Sequence, residues 1–333
     1  MTVKIGITGL GRIGRCVIRS WIESGRDDVE VVAVNYRQNT PEKVHLLQYD
    51  STHGTLSQQV TAEGDEAIVI GDKRIKVLNY SNPADIPWGD VGVDVVLECT
   101  GVFKKHADAS KHLIGGAKKV LISAPSPDPD SMVVYGVNNE VVKPEHQVIS
   151  IGSCTTNCLA PVAKILNDEF GIVAGFMTTV HAYTNDQNVL DGGHKDLRRA
   201  RTCAASMIPT STGAAKALGQ VLPELDGKLD GTAVRVPTPN VSLVDLAFTA
   251  EKSTSVEAIN AAIKSASQGK MKGVLGYNEA PLVSIDFNHN PHSSVFDATQ
   301  TYKVGDNLYR VATWYDNEWG FSCRMLDVAA LVG

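Results

Sequence analysis

Cys154 is the side chain in this sequence that is best placed to act as a nucleophile. It follows an apolar run at residues 147–150 and precedes residues 159–166, whose apolar positions repeat with the period of a helix. Cys154 is therefore predicted to lie where a strand ends and a helix begins. The N-terminus of a helix carries partial positive charge and free N–H groups, so it should lower the pKa of a thiol placed there. A buried structural cysteine is the alternative, but hydroxyl-bearing neighbours at 153, 155 and 156 do not suit an apolar core.

His181 is the candidate base for this thiol. It lies near the end of an apolar run at residues 175–184, which is predicted to be a strand. A lone histidine at the end of a strand is more often structural, but beside an accessible thiol it is the expected proton acceptor. Residues 185–206 follow as a long polar stretch rich in charge. They form either a solvated face or a subunit interface that walls a cofactor site.

Two features of the second half favour the binding of an anion. Residues 209–216 are small and polar and lead into a predicted helix, whose first N–H groups can receive an anion. Arg235 interrupts an otherwise apolar strand at residues 233–240. A buried arginine needs an anionic partner, so this position also predicts an anion site.

The N-terminal residues have the order strand, glycine-rich turn, helix, strand. Apolar strands are predicted at 3–8 and 29–35, and a G-x-G-x-x-G sequence at Gly9, Gly11 and Gly14 leads into the intervening helix at 15–22. This order is typical of dinucleotide binding, because the glycines let the backbone approach the pyrophosphate at the helix N-terminus. A purely structural glycine turn is the alternative reading.

The tip of the second strand leaves the choice of dinucleotide open. NAD sites commonly place an acid there to bind the 2′-hydroxyl of the ribose, whereas here Asn35 is followed by Tyr36 and Arg37. Without the acid nothing repels a 2′-phosphate, and Arg37 could pair with one. The alternative is that Arg37 is a solvated loop residue and that NAD binds through other contacts.

The remaining periodicity predicts an α/β fold, in which a Rossmann doubly wound parallel sheet is followed by an α+β domain with a mostly antiparallel sheet. In the first half we predict strands within 93–103 and 118–125, a crossover helix at 107–117, and short β excursions at the sheet edge within 52–77. In the second half we predict strands at 241–249, 282–287 and 309–315, and helices at 256–266 and 319–332.

Size and composition bound the class of protein. A chain of 333 residues suggests two domains, here 1–153 for the dinucleotide and 154–318 for catalysis, with a C-terminal helix at 319–333 that returns to the first domain. The net charge of -6 does not favour binding to nucleic acid or to an anionic membrane. The six cysteines contain no C-x-x-C pair, so we expect reduced thiols, a cytoplasmic protein and no metal site. Cys154 and Cys158, four residues apart, are the one spacing that could pair or hold a metal.

With these residues in place, the sequence closely resembles the phosphorylating glyceraldehyde-3-phosphate dehydrogenase family. The matching segments follow one another over almost the whole chain, and the two around Cys154 and near the C-terminus are together highly specific. The segments are residues 9–15, 153–161, 181–184, 210–216, 235–244 and 314–320.

The resemblance implies a reaction and a role for each matching residue. Cys154 would attack the aldehyde of glyceraldehyde 3-phosphate while His181 takes its proton, hydride transfer would leave a thioester, and inorganic phosphate would release the acyl phosphate, 1,3-bisphosphoglycerate. The matching positions for one phosphate are Thr184 and Arg235, and for the other they are Ser153, Thr155, Arg199, Thr212 and Gly213, with Arg235 near both. The matching cofactor positions are Gly9, Gly11, Arg12, Ile13 and Gly14 at the pyrophosphate, and Ser123 and Asn317 at the nicotinamide. The family also implies a homotetramer in which the loop within 185–206 reaches a neighbour's cofactor.

Two departures from the family pattern bear on the cofactor. Tyr36 replaces the usual acid, and Gly192-Gly193 stand where NAD-preferring bacterial relatives often have Leu-Pro. Both changes open space around a 2′-phosphate, so we expect NADP to be accepted alongside NAD. Two alternatives remain for the activity: erythrose-4-phosphate dehydrogenase, which residues 287–293 partly resemble, and a non-catalytic dinucleotide-binding protein that docks a partner.

Overall fold

The computed structural model describes residues 2–37 and 39–333. Within them the chain forms two compact units. The first unit comprises residues up to 135 together with 139–152 and 322–333, and the second unit comprises 136–138 and 153–321. No helix in the described part of the chain combines the length and apolar character required to cross a membrane.

The first unit is built on a nine-stranded sheet, and its elements alternate between strand and helix from the first strand to the third. The strands are β1 (Val3–Thr8), β2 (Val29–Asn35), β3 (Tyr49–Asp50), β4 (Gly54–Thr55), β5 (Val60–Glu63), β6 (Ala67–Ile70), β7 (Lys73–Leu78), β8 (Val95–Glu98), β9 (Lys119–Ile122), β10 (Ser131–Met132) and β11 (Val148–Ser150). The helices are α1 (Arg12–Ser24), α2 (Thr40–Gln48), α3 (His106–Ala109) and α4 (Lys111–Ile114).

The sheet of the first unit has the strand order β10-β11-β9-β8-β1-β2-β7-β6-β5, while β3 and β4 form a separate pair. Pairing is parallel from β10 to β7 and antiparallel from β7 to β5. The central strands β1, β2, β8 and β9 are almost continuously apolar, as strands covered on both faces must be. This is the predicted Rossmann sheet, with the predicted β excursions at one edge.

The second unit is built on an eight-stranded sheet that is mostly antiparallel, as predicted. Its helices are α5 (Cys154–Phe170), α6 (Ala214–Val221) and α7 (Val256–Gln268), and its strands are β12 (Ile172–Ala182), β13 (Ile208–Ser211), β14 (Leu229–Val236), β15 (Ser242–Ala250), β16 (Leu275–Asn278), β17 (Ser294–Asp297), β18 (Tyr302–Val304) and β19 (Leu308–Tyr315). The order is β13-β14-β12-β15-β19-β17-β16, with β18 beside β19. Helix α8 (Trp319–Val332) starts in the second unit, and its residues from 322 belong to the first.

Strand β15 shows how the second sheet acquires its core. Its side chains alternate between buried and partly exposed along the whole strand, which is the period of two that a sheet with one covered face requires. Helix α5 packs against the sheet at β15, β17 and β19. The covered face therefore lies against the helix that begins at Cys154.

One predicted element is wrong in kind, and another is helical as predicted but interrupted. Residues 282–287 are not a strand: Ser284–Phe287 form a 3-10 turn, because the Asp286 carboxylate accepts the Val283 N–H at 2.9 Å and closes the chain on itself. The predicted crossover helix at 107–117 is broken into α3 and α4 at Ser110, and Gly115 ends the second piece.

Candidate active site

Cys154 is the first residue of α5, as the sequence predicts. Ser153 caps the helix, because its hydroxyl accepts the N–H of Thr156 at 3.0 Å, which satisfies one of the free donors of the first turn. The cap fixes the direction of the helix start, where Cys154 is partly buried. Its Sγ lies 3.6 Å from Nε2 of His181.

The position and tautomer of His181 suit it to accept a proton from that sulfur. His181 lies in β12, and its Nδ1 is 2.7 Å from the carbonyl oxygen of Ala182. A carbonyl can only accept, so Nδ1 carries the hydrogen and Nε2 presents its lone pair to the thiol. The ring edge rests against Tyr315, whose ring centroid is 5.9 Å away at 81°. The imidazole is therefore held on two sides.

The pKa of the Cys154 thiol differs from the sequence prediction, whereas the protonation state of His181 suits the predicted base. Burial, helped by the positive charge of Arg235, lowers the pKa of His181 to about 3, so the imidazole is neutral near pH 7. Burial also raises the pKa of the Cys154 thiol, and Arg235 and Thr155 only partly offset the effect. The predicted lowering of the thiol pKa by the helix N-terminus is thus wrong for the free chain, because loss of solvation outweighs it. Both shifts favour a neutral thiol facing a neutral imidazole.

Arg235 lies beside this pair because β12 and β14 are parallel and place His181 and Arg235 opposite one another. Its Nη1 donates to the Ala182 carbonyl at 3.2 Å and to the Thr184 hydroxyl at 3.3 Å. Its Nε is buried and has no hydrogen-bond partner among the described residues. No carboxylate of the described chain forms an ion pair with it, and burial lowers its pKa. Arg235 is therefore a cation of the site that forms no ion pair with a carboxylate of the described residues.

A second arginine, Arg199, is already paired. Its Nε donates to the Thr210 hydroxyl at 2.9 Å and its Nη2 to the Ser211 carbonyl at 3.1 Å. Asp186 forms an ion pair with its Nη1. An anion bound at Arg199 would have to compete with that carboxylate or share the guanidinium with it.

The remaining predicted anion contacts have structural partners of their own. The Thr155 hydroxyl pairs with the Tyr315 hydroxyl at 2.9 Å, and the Thr212 hydroxyl accepts the Ala214 N–H at 3.2 Å. Gly213 is the residue that precedes α6, and an added Cβ there would meet open space. Gly213 and the first turn of α6 thus present backbone N–H groups rather than side chains.

Asn317 is held by a serine that sequence reasoning missed. The buried Ser242 hydroxyl donates to Asn317 Oδ1 at 2.9 Å and accepts the Ala182 N–H at 3.0 Å. With Oδ1 occupied, the amide nitrogen of Asn317 is oriented to donate elsewhere. Asp316 fixes the turn by accepting the N–H groups of Glu318 and Trp319 at 2.9 and 2.7 Å. The signal in the sequence is the Tyr-Asp-Asn run at residues 315–317, which begins with the last residue of β19. Tyr315 pairs with Ser242 of β15, and this register brings the serine close to Asn317.

The predicted cofactor residues of the first unit gather at the carboxyl ends of its strands. Gly9, with φ of +88°, ends β1 and lies so close to Thr100 that an added Cβ would be 2.7 Å from the Thr100 nitrogen. Gly11 precedes α1, and Arg12, Ile13 and Gly14 form its first turn, with the Arg12 side chain paired to Asp50. The Ser123 hydroxyl donates to the Glu98 carbonyl at 2.9 Å. Helix α1 begins earlier than predicted, so its free N–H groups are those of the glycine motif itself.

A cavity of about 290 Å³ opens at these strand ends. Its lining contains no acidic residue among those the structure describes, and consists of Thr8, Gly9, Asn35, Tyr36, Arg37, Tyr80, Ser81, Pro83, Ile86, Thr100, Val102 and Phe103. The Tyr36 hydroxyl bonds to Thr40 at 3.1 Å, which turns it into the fold, whereas Arg37 is exposed. In the second unit Gly192 and Gly193 lie in the loop at 185–206, where an added Cβ at Gly193 would meet open space.

Comparison with known proteins agrees with this arrangement. Residues 3–106 match the NAD binding domain of glyceraldehyde 3-phosphate dehydrogenase, and residues 153–317 match its C-terminal domain. Among similar proteins is the chromosomal glyceraldehyde-3-phosphate dehydrogenase of Cupriavidus necator, 59% identical over 99% of this chain and 98% of the relative. The enzymes named glyceraldehyde-3-phosphate dehydrogenase from Xanthobacter flavus and Mycolicibacterium smegmatis are 57% and 56% identical, each over 100% of this chain and 99% of the relative. The chain belongs to the glyceraldehyde 3-phosphate dehydrogenase family.

Proposed function

We propose that the protein oxidises D-glyceraldehyde 3-phosphate with inorganic phosphate and NAD(P)+ to 1,3-bisphosphoglycerate through a thioester on Cys154. The observation that carries this proposal is the 3.6 Å separation of the Cys154 sulfur from the unprotonated nitrogen of His181, with the unpaired Arg235 alongside. The relatives are named as glyceraldehyde-3-phosphate dehydrogenases, which favours this sugar over erythrose 4-phosphate. The thiol–imidazole pair itself argues against a solely non-catalytic role.

In the first step the sulfur of Cys154 forms a bond to the aldehyde carbon. His181 removes the thiol proton as the bond forms and returns it to the aldehyde oxygen, giving a hemithioacetal. Because its pKa is about 3, the imidazole is neutral at working pH and available as the acceptor. Burial raises the pKa of the thiol, so removing the proton as the bond forms avoids a free buried thiolate.

In the second step the hemithioacetal is oxidised to the thioester. A bound nicotinamide dinucleotide supplies the acceptor for the hydride that leaves the carbon. His181 takes the hydroxyl proton as the carbonyl forms.

In the third step an oxygen of inorganic phosphate attacks the thioester, the C–S bond breaks, and the sulfur regains its proton from His181.

The two phosphates are assigned to the two arginine groups of the second unit. Arg235 with Thr184 is proposed for one, and Arg199 with Ser153, Thr155, Thr212 and Gly213 for the other. The assignment rests on charge: Arg235 is partly buried and forms no ion pair with a carboxylate of the described residues, and Gly213 presents the N-terminus of α6. Of the second set, Thr155 is the weakest contact, because its hydroxyl already pairs with Tyr315.

The residues at the strand ends of the first unit fit a dinucleotide, since their cavity lies beside the glycine motif. Asn317 of the second unit, whose amide nitrogen is oriented to donate, is proposed as the contact for the nicotinamide carboxamide. We propose that NADP is accepted as well as NAD, because the cavity lining contains no acid among the described residues and includes the exposed Arg37. Measuring kcat/KM with both dinucleotides tests this choice. A preference for NAD of about a hundredfold or more would contradict it.

Three wider properties are proposed with the activity. The functional domains are 1–153 for the dinucleotide, 154–318 for catalysis and a returning helix at 319–333.

The protein is proposed to be a homotetramer, since Leu190 and Leu197 of the polar loop are apolar and are 77% and 81% exposed. A cytoplasmic location is proposed because all six cysteines are free thiols. Light scattering on a sizing column tests the oligomer, with a monomer as the contradicting result.

A steady-state assay tests the proposed function directly. Formation of reduced dinucleotide is followed with glyceraldehyde 3-phosphate and with erythrose 4-phosphate, each with and without inorganic phosphate. The proposal expects turnover that depends on phosphate and is faster with glyceraldehyde 3-phosphate. A faster rate with erythrose 4-phosphate, or no dependence on phosphate, would contradict it.

A further inference from the structure

The first unit contains a buried chain of polar side chains that the proposed reaction does not use. The Nε1–H of Trp88 donates to Nδ1 of His112 at 3.1 Å, and Nε2 of His112 lies 3.2 Å from Oε2 of Glu98. The side chains of His112 and Glu98 are 0% and 1% exposed. A buried carboxylate is costly unless its oxygens receive hydrogen bonds, so its presence in a Rossmann core calls for an explanation.

The tautomer of His112 follows from the donor at one end of this chain. An indole N–H can only donate, so Nδ1 of His112 must be unprotonated, and Nε2 carries the hydrogen that points at Glu98. The other carboxylate oxygen of Glu98 accepts the Thr100 N–H at 2.8 Å and also the Thr100 hydroxyl. Glu98 thus receives three hydrogen bonds, and all three of its partners are donors.

Glu98 also lies at the junction of the strand ends that carry the cofactor residues. It is the last residue of β8, and its backbone carbonyl accepts both the N–H and the hydroxyl of Ser123, at 3.1 and 2.9 Å. The Thr100 hydroxyl in turn accepts the Val102 N–H at 3.0 Å. Gly9 packs directly on the Thr100 backbone, and both residues line the cavity of the first unit.

We infer that Glu98 and His112 are positioning residues for the dinucleotide. They act through Thr100: the buried carboxylate fixes the turn after β8, and that turn forms the surface on which Gly9 and the glycine motif rest. Trp88 locks His112 in the one tautomer that can donate to Glu98. This inference rests on the proposed function only in taking the ligand of the cavity to be a nicotinamide dinucleotide.

The decisive variant is Glu98→Gln, which preserves shape but replaces one acceptor by a donor. Either orientation of the amide sets its NH₂ against a donor, namely His112 Nε2–H or the Thr100 N–H. We expect the dissociation constant for the dinucleotide to rise roughly 10- to 100-fold, as loss of hydrogen bonds to a charged group implies. Adding Trp88→Phe frees His112 to change tautomer and accept from the amide. The double variant should therefore bind more tightly than Glu98→Gln alone.

A milder pair of variants covers the case in which Glu98→Gln does not fold. Thr100 is exposed, so Thr100→Val removes only its hydroxyl; we expect binding about tenfold weaker, with Thr100→Ser restoring it to within about twofold. Thr61→Val, an exposed threonine on the edge strand β5, is the matched control and should change nothing. In turnover, KM for the dinucleotide should rise while kcat at saturation stays within about twofold and KM for phosphate is unchanged.

Titration calorimetry of the full chain with NAD+ and with NADP+ separates the outcomes. If the wild type binds neither dinucleotide, the proposed function fails. If the wild type binds but Thr100→Val, and Glu98→Gln where folded, bind equally well, the positioning role is overturned and the proposed function stands. A double variant that binds more weakly than Glu98→Gln alone would overturn the tautomer lock.

Discussion

Replacing Arg235 by methionine should make the protein more stable and much less active. The guanidinium is partly buried, its buried Nε has no partner among the described residues, and no carboxylate of the described chain forms an ion pair with it. Removing a charge from water costs several kcal/mol. Its two hydrogen bonds, at 3.2 and 3.3 Å, return about 1 kcal/mol each. In the free protein the balance is therefore unfavourable, and a bound anion is what reverses it.

The expected magnitudes have opposite signs for stability and catalysis. Arg235→Met should raise the free energy of unfolding by about 1 kcal/mol, which corresponds to a rise of about 2–4 °C in the unfolding midpoint. It should lower kcat/KM for glyceraldehyde 3-phosphate by about 100- to 1,000-fold, because charge-assisted hydrogen bonds to a phosphate are lost.

Arg310→Met is the matched control for that substitution. Arg310 lies in the same sheet but is paired to Asp245 through two hydrogen bonds of 3.0 and 2.7 Å. Its replacement should leave stability unchanged or lower it by about 1 kcal/mol, with kcat/KM unaffected. The assays are thermal and urea unfolding together with steady-state kinetics. The reasoning is refuted if Arg235→Met is less stable than Arg310→Met, or if it keeps kcat/KM within about threefold of the wild type.

Three further predictions concern the same unit. Cys154→Ser should lower turnover by at least about a thousandfold, since the nucleophile is lost, while calorimetry finds dinucleotide affinity unchanged; full turnover would show that Cys154 is not the nucleophile. Ser242→Ala leaves the Ala182 N–H and Asn317 Oδ1 buried without a partner, so urea unfolding should show a loss of about 2–4 kcal/mol, whereas Ser265→Ala on exposed α7 should show none. The His181 pKa of about 3 lies below its ordinary 6.5, so the unfolded chain binds the extra proton between those values and stability falls as the pH is lowered through them. Between pH 6.5 and 5 this loss is about 2 kcal/mol, and a His181→Asn variant should lack it; equal pH slopes in unfolding would disprove the assignment.

Local patterns in the sequence predict much of the fold. The bounds of β1 and β2 agree with the apolar runs at 3–8 and 29–35. A strand that is buried on both faces is apolar along almost its whole length, so the apolar run itself marks where the strand begins and ends. The start of α5 at Cys154 follows from the cap at Ser153, which is a local interaction. The segment 282–287 fails for the converse reason: its composition suits a strand, but one carboxylate accepting a nearby N–H closes a turn.

What the sequence could not predict depends on contacts between distant residues. Ser242 meets Asn317 only because β15 and β19 pair in one register. The protonation of Cys154 depends on how deeply the fold buries it, so a helix N-terminus alone predicted the wrong direction for its pKa. The chain from Trp88 through His112 to Glu98 joins residues that no motif links.

The central claim is that Cys154 carries the acyl group between oxidation and phosphate attack. Mixing the enzyme with glyceraldehyde 3-phosphate and NAD+ or NADP+ in the absence of phosphate, then quenching in acid, allows the chain to be weighed intact and again as peptides after digestion in acid. The account predicts a 3-phosphoglyceroyl group on the peptide containing Cys154, formed with one equivalent of reduced dinucleotide and removed when phosphate is added. Reduced dinucleotide formed without any adduct on Cys154, or an adduct on another residue, would contradict it.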